Sequence, residues 1–231
     1  MISIVSRVRF PLCSPLEGPP VERLLNDFVL LFTIIDPVGS VPVFIAIASR
    51  AAPGLRRRIA FRAVLVSAGV LLFFGIFGQF VLNAMGISLH AFRVAGGIIL
   101  FLFALDMIFG TSKPESEVSV VPKAAADAYD LAIYPLAIPS IAGPGSIVAI
   151  VVTTDNAKFS VIQQAATLGI MLVVLGIVLA CLLIAERIHR LIGQAGASII
   201  SRVMGLITAG IAANGVLTGL QGFFGLGATA G

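Results

Sequence analysis

The chain has no tryptophan, two tyrosines, two histidines and two cysteines, and charged residues make up only 11% of its 231 positions. Each shortage removes a class of function. A water-soluble domain carries roughly 25% charged residues, so a chain this poor in charge cannot cover its surface in water. His90 and His189 stand apart from any ligand cluster. Cys13 lies in a polar, proline-bearing start and Cys181 in an apolar run, with no metal spacing between them and no disulfide expected. No phosphate-binding loop, zinc signature or nucleophile elbow is present. The sequence therefore points to no enzyme, no metal and no cofactor. The net charge is +4, but the basic residues gather in particular links, which reads as membrane orientation and excludes a nucleic-acid partner.

What the chain does have is apolar length. It is 58% hydrophobic, with a mean hydropathy of +1.09. Six apolar runs fall at about 24–48, 60–83, 89–109, 131–152, 161–185 and 199–220. Each approaches or exceeds the ~20 residues needed to cross ~30 Å of hydrocarbon. The expected fold is an all-α membrane protein with six transmembrane helices. Residues 1–22, broken by Arg7, Arg9, Pro11, Pro15, Pro19 and Pro20, are expected to form a disordered tail and lack the continuous apolar core of a signal peptide. A polar loop follows at 111–130, and a glycine-rich tail at 223–231.

The links between runs one and two, three and four, and five and six carry nine basic residues: Arg50, Arg56, Arg57, Arg58, Arg62, Lys113, Lys123, Arg187 and Arg190. The other side has Lys158 and, in the leading tail, Arg7, Arg9 and Arg23. The positive-inside rule then makes the first set cytoplasmic and puts both termini outside.

Two runs contain residues that do not belong in a membrane helix. Ile35-Asp36-Pro37-Val38-Gly39-Ser40-Val41-Pro42 interrupts the first, and Pro139-Ser140-Ile141-Ala142-Gly143-Pro144-Gly145-Ser146 the fourth. Proline removes a backbone donor and clashes with the preceding turn, so both runs are expected to be helices broken at mid-membrane. The breaks are about a hundred residues apart, with Gly39 and Gly145 offset by 106. A second pair has a similar offset: Phe92-Arg93-Val94-Ala95-Gly96-Gly97 matches Ser201-Arg202-Val203-Met204-Gly205-Leu206, at an offset of 109. A duplication follows, with repeats at 23–110 and 131–222. Three crossings per repeat force the second to enter from the opposite side, which gives the inverted-repeat architecture of secondary transporters.

A broken helix exposes amides and carbonyls that need partners inside the protein or in a wet cavity. Gly39, Ser40, Gly143, Gly145 and Ser146 are candidate binding positions around those groups. A small anionic group such as an amino-acid carboxylate suits the amides. Asp36 is the leading candidate for a coupling cation or an ammonium group, because a carboxylate amid an apolar run is costly and commonly functional. It can equally cap the second half-helix, and the two roles are compatible. Asp106 and Glu186 sit near the ends of their segments, where solvation accounts for them; a direct role is the sharper alternative. Asn214 roughly matches Asp106 across the repeat and either lines the path or bonds between helices. Arg93 and Arg202 either snorkel to opposite surfaces or form gating pairs. Gly215-Val216-Leu217-Thr218-Gly219 is a small-xxx-small pattern that points to close helix packing. The sixteen phenylalanines are most simply lipid-facing bulk.

Asp36-Pro37-Val38-Gly39-Ser40-Val41-Pro42, Gly96-Gly97 with Ala104-Leu105-Asp106-Met107, and Ala142-Gly143-Pro144-Gly145-Ser146 together resemble the MarC family of six-span bacterial and archaeal membrane proteins, over roughly residues 24–220. Ser40 departs from the asparagine expected there. The resemblance implies a multi-pass protein of the plasma membrane (in a bacterium, the inner membrane) that moves glycine- or alanine-sized neutral amino acids. The expected partners are the lipid bilayer, that small-molecule substrate, a coupling H+ or Na+ ion, and further copies of the chain in a homo-oligomer. A channel, or a MarC-family protein without transport activity, is the alternative.

Overall fold

The computed structural model describes residues 20–48, 55–109 and 132–225. Residues 1–19 of the expected tail, the expected loop at 111–130 and residues 226–231 lie outside the described residues. Eight helical elements follow in order: α1 (Pro20–Ile35), α2 (Ser40–Ala48), α3 (Arg56–Ala84), α4 (Leu89–Phe109), α5 (Ala132–Ile141), α6 (Pro144–Thr153), α7 (Val161–Leu183) and α8 (Ala185–Phe224). No strand occurs among the described residues. Helices α3, α4, α7 and the Ser198–Phe224 part of α8 are each long and apolar enough to cross a membrane. Two bent pairs, Val21–Ile35 with Ser40–Ala48 and Ala132–Ile141 with Pro144–Thr153, turn by 40° and 53°, and raise the number of spans to six if each pair is one.

The boundaries follow local chemistry. Helix α1 starts at Pro20, inside the stretch expected to be tail, because proline is tolerated in a first turn where its missing N–H has no partner to lose. Helix α3 begins at Arg56, four residues before the apolar run, since nothing after Pro53 and Gly54 breaks it. Ser160 opens α7 with a capping box: its hydroxyl accepts from the Gln163 amide, and the Gln163 side chain accepts from the Ser160 amide. Helix α8 is interrupted at Gly193, whose φ of +65° suits a residue without Cβ. Helix α5 is wound in wide turns and includes two extended residues, Tyr134 and Ile138.

Each bent span packs chiefly on long helices of the other half. The α1–α2 span packs against α7 and α8, and the α5–α6 span against α3 and α4. Helix α4 runs along α8, α3 along α7, and α1 meets α6. Taken span by span, most of these pairings recur when the two halves are exchanged; α7 on α8 has no α3–α4 counterpart of the same weight. The longest interface, α4 on α8, depends on glycine. A Cβ added at Gly97, Gly205 or Gly219 would lie 3.0–3.1 Å from a carbonyl oxygen of the opposite helix (Ala212, Ala104 and His90, respectively). Lipid tails are as apolar as leucine, so helices in a bilayer associate through such close backbone approach.

The ends of the bundle are polar, and each joins different links. At one end Arg56 pairs with Glu186, bringing the starts of α3 and α8 together. At the other, Gln79 donates to Asp155 at 3.0 Å and accepts from the Asn156 amide. Between the ends, large apolar side chains face outward, Leu65 and Phe80 among them at 73% exposure each, as a lipid-contacting belt requires.

One buried polar cluster ties α1 into this frame. Arg23 and Asp27 are both about 5% exposed and pair at 3.6 Å. Thr167 of α7 donates to Asp27 at 2.7 Å. Arg23 reaches the Thr167 hydroxyl and the Thr153 carbonyl at 3.4 and 3.5 Å, and its guanidinium lies 3.7 Å over the Phe159 ring. The cluster joins α1 to the end of α6 and the start of α7.

Two stability experiments follow. Asp27→Ala strands a buried guanidinium and is expected to cost about 3–5 kcal/mol, read as a fall in the melting temperature of the detergent-solubilised protein; the paired change Arg23→Met with Asp27→Leu recovers most of it. Gly97→Ala forces α4 from α8 and is expected to cost about 1–3 kcal/mol. Gly169→Ala, where an added Cβ meets nothing within 4 Å, leaves the melting temperature unchanged or raises it.

Candidate functional site

At the first break, α1 closes with the Asp36 amide donating to the Phe32 carbonyl at 3.0 Å. Asp36 then takes φ +50°, the left-handed region, where aspartate is one of the few side-chain-bearing residues found. That turn brings its carboxylate over the next helix, where Oδ1 accepts from the Gly39 amide at 2.9 Å. Asp36 therefore caps α2. A Cβ on Gly39 would collide with the same carboxylate, so Gly39 is a glycine on account of Asp36. Ser40 completes the turn: its amide and its hydroxyl both donate to the Asp36 carbonyl, at 3.1 and 3.0 Å.

The second break uses different residues for the same task. Gly143 is extended, with φ −75° and ψ 171°, and Pro144 begins α6. A Cβ on Gly143 would lie 2.5 Å from the Pro139 carbonyl oxygen. Ser146 donates to the Ile141 carbonyl at 3.0 Å, which parallels Ser40 on Asp36. In each break a serine hydroxyl donates to a carbonyl at the end of the preceding helix. Both hydroxyl protons are thereby engaged within the fold.

One space open to a ligand among the described residues lies beside the breaks. A cavity of about 160 Å³ sits among α1, α4, α6 and α8. Three of the expected site residues meet on its wall: Arg93, Gly145 and Asn214. Gly145 is held there by packing, since an added Cβ would lie 2.5 Å from Leu100 and 3.5 Å from Ile34. Thr218, one turn beyond Asn214, also lines the cavity and donates to the Asn214 carbonyl at 2.7 Å. The remaining wall is small or apolar, and Arg93 is the one charged lining residue. Asp155, buried in the α6–α7 link and accepting from Gln79 and the Ala157 amide, exerts an electrostatic attraction on Arg93. No carboxylate among the described residues lies within ion-pairing distance of Arg93.

The other expected residues lie elsewhere. Asp36, Gly39, Ser40, Gly143 and Ser146 build the kinks and do not line the cavity. Asp106 and Arg202 are exposed, on α4 and α8 respectively. Arg93 is half-buried, so the two arginines matched by the repeat have different surroundings. Arg23, Asp27 and Thr167 are polar residues that sequence reasoning missed. The signal available for the first two was an arginine and an aspartate four apart, one helical turn, at the start of an apolar run.

The comparisons with known proteins agree with the helical architecture. The family model described as MarC family integral membrane protein matches residues 21–224. UPF0056 membrane protein MJ1677 of Methanocaldococcus jannaschii is 37% identical over 207 residues, covering 87% of this chain and 98% of its own. YvbG of Bacillus subtilis is 30% identical, over 87% of this chain and 95% of its own. YhcE of Escherichia coli is 30% identical, over 85% and 91%. No solved structure matches the chain. With a family model spanning nearly all of the described helices and relatives aligned over most of both lengths, this chain belongs to the MarC family of integral membrane proteins.

Proposed function

We propose that the protein is a secondary transporter of small neutral amino acids of the glycine and alanine class, acting by alternating access in a cell membrane, the inner membrane in a bacterium, with both termini outside. The observation that carries this reading is the small cavity between a bent span of each half and the paired helices α4 and α8. Transporter sites lie at such positions, where broken helices of two inverted repeats meet. The pairings that recur on exchange of the halves support the same arrangement.

In this reading α4 and α8, joined through Gly97, Gly205 and Gly219, form the static element. The bent spans rock against it and open the cavity to either side in turn. Asp36 is the one carboxylate at either break and is the candidate group for a coupling H+ or Na+ ion.

The test is uptake of labelled glycine and alanine into proteoliposomes under an imposed proton or sodium gradient. Saturable, gradient-driven flux is expected. Absence of flux for every small neutral amino acid under both gradients contradicts the proposal, and unsaturable flux favours a channel. Asp36→Asn separates the roles of its target residue, since asparagine caps a helix about as well as aspartate but carries no charge. The variant is expected to keep the wild-type melting temperature and lose flux by at least about tenfold. Wild-type flux in Asp36→Asn would leave capping as the whole role of the residue.

A further inference from the structure

We propose that the cavity is a size-limited monocarboxylate site, in which Arg93 takes the ligand carboxylate and the absent side chain of Gly215 leaves room for the group on the ligand α-carbon. The proposal rests on the transport reading and adds to it the residues that orient and select the substrate.

Charge decides the ligand class. The wall has one charged side chain, Arg93, and no carboxylate. Asp155 attracts Arg93 without reaching ion-pairing distance, and no other carboxylate among the described residues reaches it; its planar fork is left to fit a ligand carboxylate with two parallel hydrogen bonds. A bare cation or an uncharged amine has no such partner here. The ammonium of an amino acid meets neutral acceptors, the side-chain oxygens of Asn214 and Thr218. The Thr218 hydroxyl has already given its proton to the Asn214 carbonyl, so its lone pairs are what it offers.

Volume decides the size. The cavity measures about 160 Å³. A cavity of about 150 Å³ accommodates benzene, a guest of about six non-hydrogen atoms. Alanine has that many, and glycine one fewer.

Gly215 sets the limit because packing does not require it to be glycine. In a helix interior glycine is unfavourable relative to alanine. Gly219, in the same five-residue motif, is justified by contact with Val94 and the His90 carbonyl. At Gly215 an added Cβ meets no protein atom within 4 Å, yet the residue lines the cavity beside Asn214. Gly69, Gly169, Gly176 and Gly210 are equally open, but none of them borders the cavity. The motif thus has two functions, with Gly219 packing α8 on α4 and Gly215 keeping space.

The experiment compares glycine and alanine binding to purified wild-type protein and Gly215→Ala by calorimetry, with transport measured in parallel. The variant is expected to melt no lower than wild type and to lose alanine affinity by about tenfold or more relative to glycine, the effect of one methyl in an apolar pocket. An unchanged alanine-to-glycine ratio in a folded, transporting variant overturns this proposal and leaves the transport reading standing. Wild-type protein that neither binds nor moves any small amino acid overturns both. A second measurement needs no variant: on wild type, affinity should fall beyond alanine across 2-aminobutyrate and valine, and propionate should compete where ethylamine does not. Competition by ethylamine, or valine bound as tightly as alanine, overturns the proposal.

Discussion

The amide of Gly39 donates to the carboxylate of Asp36, and the carbonyl of Asp36 receives both the amide and the hydroxyl of Ser40. An apolar layer offers no water to a kinked backbone, and each unpaired peptide group there costs several kcal/mol. A bend inside a membrane must find partners for those groups in its own turn, in a neighbouring helix or in water. The first break does so with an aspartate in a left-handed turn. The second does so with Gly143, Pro144 and the Ser146 hydroxyl on Ile141. The first kink closes on its own residues, whereas the second is also tied to a neighbouring span: Ser67 of α3 donates to the Ala137 carbonyl at 3.3 Å.

The α4–α8 pair is held by different physics. Helices α4 and α8 approach through glycines whose replacement would drive a methyl toward a facing carbonyl. The bent spans lie across this pair, each on the second and third spans of the other half. The cavity lies at that crossing, with Arg93 and Asn214 supplied by α4 and α8 and Gly145 by a bent span. At one end of the bundle the Arg23, Asp27 and Thr167 cluster fastens α1 to α7 and to the end of α6. Any opening of the cavity by movement of α1 at that end must part this cluster, so its burial and the mobility of the span oppose each other.

The breaks were legible in the sequence because proline, glycine and aspartate in an apolar run admit few readings. The four long apolar helices were legible from length alone, and the two bent pairs make six spans if each is one. The division of work within the site was not. Gly39 and Ser40 looked like ligand positions, yet one makes room for the Asp36 carboxylate and the other serves its carbonyl. Contacts made across the fold are invisible in a local pattern: Asp27 and Thr167 are 140 positions apart, and Arg23 stood just ahead of the first apolar run, with α1 already begun at Pro20. Gly215 and Gly219 were indistinguishable as letters in one small-residue motif, and only the facing surface separates them. The match of Arg93 to Arg202 was visible, whereas their different burial depends on which helix each meets.

Counterflow tests the central claim most directly. Proteoliposomes loaded with unlabelled alanine are diluted into a trace of labelled alanine with no ion gradient imposed. A cavity that opens to one side at a time exchanges ligand for ligand, so label should rise transiently above its equilibrium level inside and then decay. Label that only equilibrates, at a rate indifferent to the internal alanine, would contradict alternating access around the two broken spans.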